Sequence, residues 1–150
     1  MKNLASETVV AETRDRMLRV RPEDRAIWGR MSAIEMMRHL GLACEVALGE
    51  RPAETVQVSA PRVLKFVALR SGLRWQRNIK TTPSLERALV EEECIADFDE
   101  LVGTAVAKME ALAEGRRCVR THPFFGPMSV GDWMRWGYLH ADHHLRQFGR

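Results

Sequence analysis

The chain has 150 residues, of which 45% are hydrophobic and 29% are charged. This length and composition are typical of one globular domain with its own core, and they exclude a disordered or fibrous chain. The formal net charge of +3 gives only weak support for a nucleic-acid partner. We therefore expect a single domain that spans residues 1–150.

The sequence shows no feature of a membrane or secreted protein. No segment approaches the roughly 18 uninterrupted apolar residues that a membrane span needs. Glu7 and Glu12 interrupt the N-terminal segment before the apolar core of a signal peptide can form. Cys44, Cys94 and Cys118 are widely spaced and odd in number, which fits buried reduced thiols rather than a disulfide framework. These observations predict a cytoplasmic protein without a membrane partner.

Two helices are predicted in the first third of the chain. The first starts at Ser6 as its cap and runs to about Val20. Its buried side would consist of Val9, Val10, Met17 and Leu18. The second starts at an S-x-x-E capping box formed by Ser32 and Glu35, and it ends at Gly49.

A shorter apolar segment, APRVLKFVALRSG, follows and is expected to break at Gly72. The next predicted helix starts at Thr82 and Pro83 and keeps an apolar spacing of three or four residues until Gly115. If it is unbroken, it is the longest element, at up to about 45 Å. Its apolar stripe would consist of Ala88, Ile95, Phe98, Val102, Ala105, Met109 and Leu112.

Ser129 and Asp132 predict the cap of a last helix, which carries the sequence WMRWGYLHADHHLRQF. Apart from the short and ambiguous ETVQVSA, no segment shows the alternation of a strand. Four principal helices with short or medium connections predict an all-α fold, a four-helix bundle. A short extra helical segment is expected between helices 2 and 3.

The last helix carries three of the five histidines within five positions. Because a helix turns about 100° per residue, His140 and His144 share one face, which also holds Trp133 and Trp136. Unpaired polar groups on such a buried face cost about 1–3 kcal/mol each, and one divalent cation would satisfy both imidazoles. Ala141 replaces the glutamate of H-E-x-x-H, which excludes a metalloprotease.

The second helix offers a third ligand, His39, on its predicted buried face. A lone histidine on such a face is usually a satisfied core residue, but His140 and His144 shift the balance toward a three-histidine site. Three neutral imidazoles would leave open positions on zinc, nickel or iron, as in catalytic rather than structural sites. Glu35 and Gln147 lie near the same faces, and the sequence leaves open whether either joins the site.

The segments WGRMSAIEMMRHL, HPFFGPMS and HADHHLRQFG resemble the DinB/YfiT-like superfamily. More narrowly, they are similar to an uncharacterised bacterial branch with H-P-F-F-G and H-x-D-H-H-L-R-Q-F-G motifs. The resemblance implies a DinB/YfiT-like bundle, a metal triad at His39, His140 and His144, and a homodimer. The superfamily includes thiol-dependent S-transferases and a thiol-dependent maleylpyruvate isomerase, which use mycothiol, bacillithiol or glutathione, and many members without known activity. The resemblance is therefore compatible with a thiol-dependent activity.

Four further residues are candidates for contacts with a substrate. His143 is a candidate acid or base beside the metal, because an imidazole titrates near neutral pH; simple packing is the alternative. Arg70, Arg74 and Arg77 share a face if their helix continues past Gly72, and guanidinium groups suit carboxylates and phosphates. They could bind an anionic thiol or form a solvated basic face. Nucleic acid is disfavoured, since no recognition motif accompanies them.

Two functions remain open at the level of sequence. The first is a metal-dependent thiol S-transferase or hydrolase, in which the histidines hold the metal and a thiol or water attacks a small electrophile. The second is a non-catalytic dimeric bundle whose histidines serve structural metal binding or polar packing. The sequence does not decide between an enzyme and this second function, and it names neither the metal nor the thiol.

Overall fold

The structure is a computed structural model that describes residues 1–77, 81–91 and 97–150. Within these ranges the helices are α1 Glu7–Leu18, α2 Ala33–Leu48, α3 Pro61–Arg70, α4 Pro83–Glu91, α5 Phe98–Glu114 and α6 Val130–Gln147. Between α5 and α6, the two-residue strands β1 Thr121–His122 and β2 Gly126–Pro127 pair antiparallel. The predicted all-α helical bundle is confirmed. None of the described helices combines the length and the apolar character needed to cross a bilayer.

The core lies between the four longer helices α1, α2, α5 and α6. α2 packs against α5, and α6 contacts α1, α2 and α5. Gly137 allows α6 to approach α5, because a Cβ at this position would come within 2.8 Å of Leu4 and Leu112. The side chains buried most completely in this core include Met17, Met36, Met37, Met109, Leu112, Trp133 and Leu145. The two helices that carry the histidines, α2 and α6, are thus held by the same core.

Both predicted capping boxes are present, and they set the first residues of α2 and α6. Ser32 Oγ accepts a hydrogen bond from the Glu35 backbone, and the Glu35 carboxylate accepts one from the Ser32 backbone. Ser129 and Asp132 exchange the same pair of bonds at the start of α6. α2 ends at Gly49, whose φ of 77° lies in the left-handed region that glycine adopts without strain. The caps therefore fix where the histidine-bearing helices begin.

Two expectations about the helices are wrong. The single long helix predicted up to residue 115 is interrupted, because Asp97 has a ψ of 136° and α5 begins at Phe98. Apolar spacing of three or four residues is the same in one helix and in two consecutive helices, so the break left no periodic signal. Ile95 of the predicted stripe lies outside the described residues. Leu18, expected to be buried, is 58% exposed because α1 ends there and Met17 takes the buried position.

The segment after α3 does not continue as a helix. α3 ends at Arg70, and Gly72 has a φ of 74°, so the break predicted there is confirmed. As a result, Arg70, Arg74 and Arg77 do not share a helical face. The ambiguous ETVQVSA segment forms no strand and belongs to the connection between α2 and α3.

Candidate metal centre

Three buried histidine rings from α2 and α6 form a triangle. The ring centroid of His39 lies 4.9 Å from that of His140 and 4.8 Å from that of His144, and the last two are 4.9 Å apart. One ligand nitrogen from each ring lies within 4.8 Å of the other two. The two helix faces meet where their histidines lie, and the cluster is compatible with binding one metal ion.

The shortest contact in the triangle joins Nε2 of His39 to Nε2 of His140 at 2.9 Å. Two nitrogens bound to one zinc-sized ion through bonds of about 2.0–2.1 Å lie no more than about 4 Å apart, so this separation fits shared coordination. In a metal-free protein the same contact is an N–H···N hydrogen bond, which requires a proton on one of the two nitrogens. The geometry therefore fits both a metal pair and a polar contact.

Burial keeps the three imidazoles neutral. It lowers the pKa of His39 to about 4 and that of His144 to about 3, and it holds the pKa of His140 well below its ordinary value. Positive charge on a neighbouring histidine lowers each pKa further, because like charges at this distance repel. A neutral imidazole is the form that binds a metal. All three rings are in this form near neutral pH.

Gln147 determines which nitrogen of His144 carries the proton. Its Oε1 lies 2.9 Å from Nδ1 of His144, and its Nε2 donates to the carbonyl oxygen of Trp28 at 2.7 Å. Because the amide nitrogen is engaged with a carbonyl, Oε1 accepts from the Nδ1–H of His144 and leaves Nε2 of that ring with its lone pair. By contrast, Nδ1 of His39 is buried and has no hydrogen-bond partner within the described ranges.

Glu35, the other residue considered for the site, is engaged elsewhere. Its side chain is exposed, and Oε2 accepts hydrogen bonds from the backbone and the hydroxyl of Ser32 at 2.7 and 2.9 Å. The carboxylate thus caps α2. Of the two residues left open by the sequence, Gln147 contacts a histidine of the triangle and Glu35 takes part in a helix cap.

His143 lies beside the triangle. Its ring centroid is 5.1 Å from that of His144 and 6.1 Å from those of Trp28 and Trp75. The Trp75 ring is also 6.1 Å from that of His140. Burial, with the nearby Arg146 charge, lowers the pKa of His143. The two half-buried tryptophans and His143 therefore border the triangle, and a catalytic role for His143 stays a prediction.

The three arginines predicted to bind an anionic thiol occupy three different environments. Arg70 donates to Oδ1 of Asp132 at 2.9 Å. Arg74 is exposed in the segment that follows α3. The guanidinium carbon of Arg77 lies 4.6 Å from the ring centroid of Trp28, a cation–π contact. Arg77 therefore contacts the aromatic border of the triangle at Trp28, and its binding role stays a prediction.

The thiols of the described cysteines are poor nucleophiles. Cys44 is buried and Cys118 is half-buried, and both are free. Burial raises the pKa of Cys44 to about 12 and also raises that of Cys118, whereas a reactive cysteine needs a lowered pKa. Cys94 lies outside the described residues. A thiol used in catalysis would therefore not come from Cys44 or Cys118.

Two residues at the border of the triangle were missed by the sequence reasoning. Trp28 lies in the connection between α1 and α2, and Trp75 lies in the non-helical segment after α3. Helical periodicity does not extend into such segments, so it places neither ring near the histidines. The only available sign was the WGRM sequence around Trp28, which forms part of the family resemblance.

The chain is similar to a known protein family. A family model described as the DinB superfamily matches residues 5–148. No curated protein and no solved structure matches the chain. The matched range contains every described helix and all three histidines of the triangle. The comparison thus covers the whole of the structural unit that positions the site.

Proposed function

This chain belongs to the DinB superfamily, and on that premise we propose that it is a metal-dependent enzyme that activates a low-molecular-weight thiol or water. The activated group would be transferred to a small electrophile or would hydrolyse it. The superfamily inferred from the sequence motifs is confirmed, whereas the activity is our proposal. The observation that supports it is the buried triangle of His39, His140 and His144, whose neutral imidazoles each offer one nitrogen within 4.8 Å of the other two.

In this proposal the three imidazoles hold one divalent ion such as zinc, nickel or iron. When bound, such an ion lowers the pKa of a thiol or water that it binds and so supplies a nucleophile near neutral pH. Gln147 orients the ring of His144. Trp136 stacks on His140 at 4.8 Å between ring centroids and restricts rotation of that ring. Burial of the triangle limits the access of bulk water.

The groups that border the triangle would receive the substrate. His143 would exchange a proton with the substrate, because an imidazole beside the reacting groups can act as acid or base. Arg77, held over Trp28, would bind the anionic end of the thiol through its guanidinium group. Trp28 and Trp75 would provide apolar walls. Arg70, paired with Asp132, is less suited to this task.

We also propose that the protein forms a homodimer. α3 exposes an apolar face in which Val63 and Phe66 are each 63% exposed and Val67 is 43% exposed. Contiguous apolar surface of this kind is typical of interaction sites, and a second copy of the chain would cover it. The single-domain organisation and the cytoplasmic location stay predictions of the sequence.

One observation favours the competing function, a non-catalytic bundle. The Nε2 atoms of His39 and His140 are close enough to hydrogen-bond without any ion, and the exposed fractions of His39, His140 and His144 are only 4%, 9% and 9%. In that case the triangle would be polar packing or a structural metal site. The two functions differ in metal content and in turnover.

The metal content of the purified protein tests whether the histidine triangle binds a metal ion. We expect about one divalent ion per chain in the wild type and in His143→Asn, because His143 is outside the triangle. His140→Ala should remove a ligand and lose the ion. A wild-type protein without metal, together with unchanged stability of His140→Ala, would contradict the metal site.

An activity assay tests whether the metal-loaded protein is an enzyme. The metal-loaded protein is assayed with a set of small electrophiles, each with water alone and with several low-molecular-weight thiols. We expect activity that falls in His143→Asn and a KM for the thiol that rises in Arg77→Gln. A metal-loaded protein that is inactive under every condition would favour the structural alternative.

A further inference from the structure

A cavity, which we call the basic cleft, lies on a different face of α6 from His140 and His144. It has a volume of about 430 Å³ and is bounded by the first residues of the chain, the segment after α3, and α6. Its walls include Lys2, Arg74, Trp75, Arg135 and Arg146. The arginines of α6 that line it were not singled out by the sequence patterns, because they lie off the histidine face.

The basic cleft has an excess of positive charge. It is lined by Lys2, Arg74, Arg135 and Arg146 and by a single carboxylate, that of Asp142. Asp142 is already engaged, since Oδ1 accepts from Arg16 at 2.8 Å and Oδ2 accepts from Arg146 at 2.9 Å. Lys2 pairs with Glu12. The charges of Arg74 and Arg135 remain without a carboxylate partner within the described ranges.

Arg135 is a buried cation that forms no ion pair with a carboxylate in the described part of the chain. It is only 8% exposed, and its guanidinium donates to the carbonyl oxygens of Leu69, at 3.1 Å, and of Lys2. Nη2 also lies 3.5 Å from Sδ of Met1, a weak acceptor. These contacts supply hydrogen bonds but no negative charge, and an unbalanced buried charge is costly. Burial lowers the pKa of Arg135, and the nearby Asp142 charge offsets this only in part, so a bound anion would supply further negative charge.

We propose that the basic cleft binds the carboxylate or phosphate group of a small anionic molecule, with Arg74 and Arg135 as its main contacts. The volume is in the range of small-ligand pockets, and guanidinium groups bind both kinds of anion through paired hydrogen bonds. The cleft contains no residue of the histidine triangle, so this site does not depend on the proposed metal chemistry. Trp75 forms one wall and provides a reporter.

Nuclear magnetic resonance of the full, metal-free chain tests the site. Inorganic phosphate and succinate are titrated separately at constant ionic strength, while the indole N–H signals of Trp75 and Trp133 are followed. We expect a saturable shift for Trp75 with at least one anion, and the stronger response identifies the preferred group. Trp133 is the internal control, because its buried indole donates to Val119 and does not line the cleft.

Matched variants distinguish specific anion binding in the basic cleft from nonspecific attraction to the positive surface charge. Arg74→Gln should weaken binding at least about tenfold, because a charge-assisted hydrogen bond contributes about 1.5–3 kcal/mol and every 1.4 kcal/mol is tenfold in affinity. Arg62→Gln removes the same charge from an exposed position on α3 and should leave binding unchanged. Arg135→Gln should abolish binding; if that variant does not fold, Arg74→Gln still decides the question.

Three results would overturn the proposal. The first is no saturable shift with either anion. The second is equal weakening by Arg62→Gln and Arg74→Gln, which would indicate diffuse electrostatic attraction. The third is loss of binding in His140→Ala, which would locate the anion at the histidine triangle. The anion titration uses metal-free protein. Its result therefore does not depend on whether the histidine triangle binds a metal ion.

Discussion

The side-chain oxygen of Gln147 accepts a hydrogen bond from Nδ1 of His144, while the nitrogen of the same amide donates to the backbone of Trp28. This pair of bonds orients one imidazole and ties the connection before α2 to the end of α6. Because Nδ1 carries the proton, Nε2 of His144 keeps the lone pair that could bind a metal ion. One amide side chain, that of Gln147, thereby contacts both a histidine of the triangle and the connection that precedes α2.

Removal of this amide should weaken metal binding. In Gln147→Leu, Nδ1 of His144 loses its acceptor, so the ring can rotate and adopt the other tautomer. Loss of such a partner typically lowers metal affinity about 10–100-fold, which competition with a chelator of known affinity would measure. Gln76→Leu alters an exposed glutamine in the segment after α3 and serves as the control. Equal affinity in both variants would argue against an orienting role for Gln147.

Acid should destabilise the metal-free protein. Burial lowers the pKa of His122 to about 3 and that of His39 to about 4, from an ordinary value of 6.5. Below pH 6.5 the unfolded chain therefore binds more protons than the folded chain, and the free energy of unfolding falls as the pH drops toward about 3. Each such histidine contributes up to about 1.4 kcal/mol per pH unit. Urea unfolding at pH 7, 6 and 5 measures this slope.

His122→Asn provides the comparison for that experiment. The variant lacks one buried histidine ring. Its free energy of unfolding should therefore change less steeply with pH, by the equivalent of about one proton. His122 is suited to this test because its Nδ1 accepts from the Phe124 backbone and its ring stacks on Phe125, outside the triangle. An identical slope in the variant would show that His122 is not held neutral by burial.

Asp132→Asn should lower the free energy of unfolding by about 2 kcal/mol near neutral pH. Although burial raises the pKa of Asp132, hydrogen bonds from Arg70 and Ser129 outweigh burial and hold it at about 2, below the ordinary 3.8. The ionised form therefore stabilises the fold above pH 3.8, and this contribution is lost as the pH falls toward about 2. Chemical unfolding of the wild type and the variant at pH 7 measures the difference.

A double-mutant cycle with Arg70→Gln isolates the ion pair between α3 and α6. If Arg70 acts mainly through Asp132, its substitution should cost less in the Asp132→Asn background than in the wild type. Asp99→Asn, an exposed acidic residue in the first turn of α5, is the charge-matched control and should change stability little. Additive effects of the two substitutions would contradict a direct coupling.

Phe66→Ser should convert the proposed homodimer to a monomer. Phe66 is 63% exposed on the apolar face of α3, so its replacement would remove apolar area from the proposed interface while the monomer core is unchanged. Light scattering coupled to size-exclusion chromatography measures the mass of each form. Leu18→Ser changes a comparably exposed apolar residue on α1 and should remain dimeric. A monomeric wild type would refute the proposed dimer.

The parts of the site that the sequence predicted well depend on local chemistry. The starts of α2 and α6 follow from capping boxes, whose hydrogen bonds lie within four residues. The common face of His140 and His144 follows from helical geometry alone. The proximity of His39 to them requires two particular helices to pack face to face, and the buried character of both faces together with the family resemblance pointed to that arrangement.

The parts that were missed depend on the path of irregular chain and on distant contacts. Trp75 reaches the histidines through a non-helical segment that follows a left-handed Gly72. Arg135 is buried because residues near the N-terminus and the end of α3 present carbonyl groups to it. Neither arrangement leaves a periodic pattern in the sequence. The interruption at Asp97 was missed for a similar reason, since the apolar spacing continues on both sides of it.

The contact between His39 and His140 joins residues 101 positions apart. This separation determines when the triangle can form during synthesis of the chain. During translation at about 5–20 residues per second, roughly 5–20 s pass between the synthesis of the two histidines. Through that interval the nascent α2 lacks the helix that completes its site. Any metal ion that binds all three histidines of the triangle is therefore bound only after α6 has been synthesised.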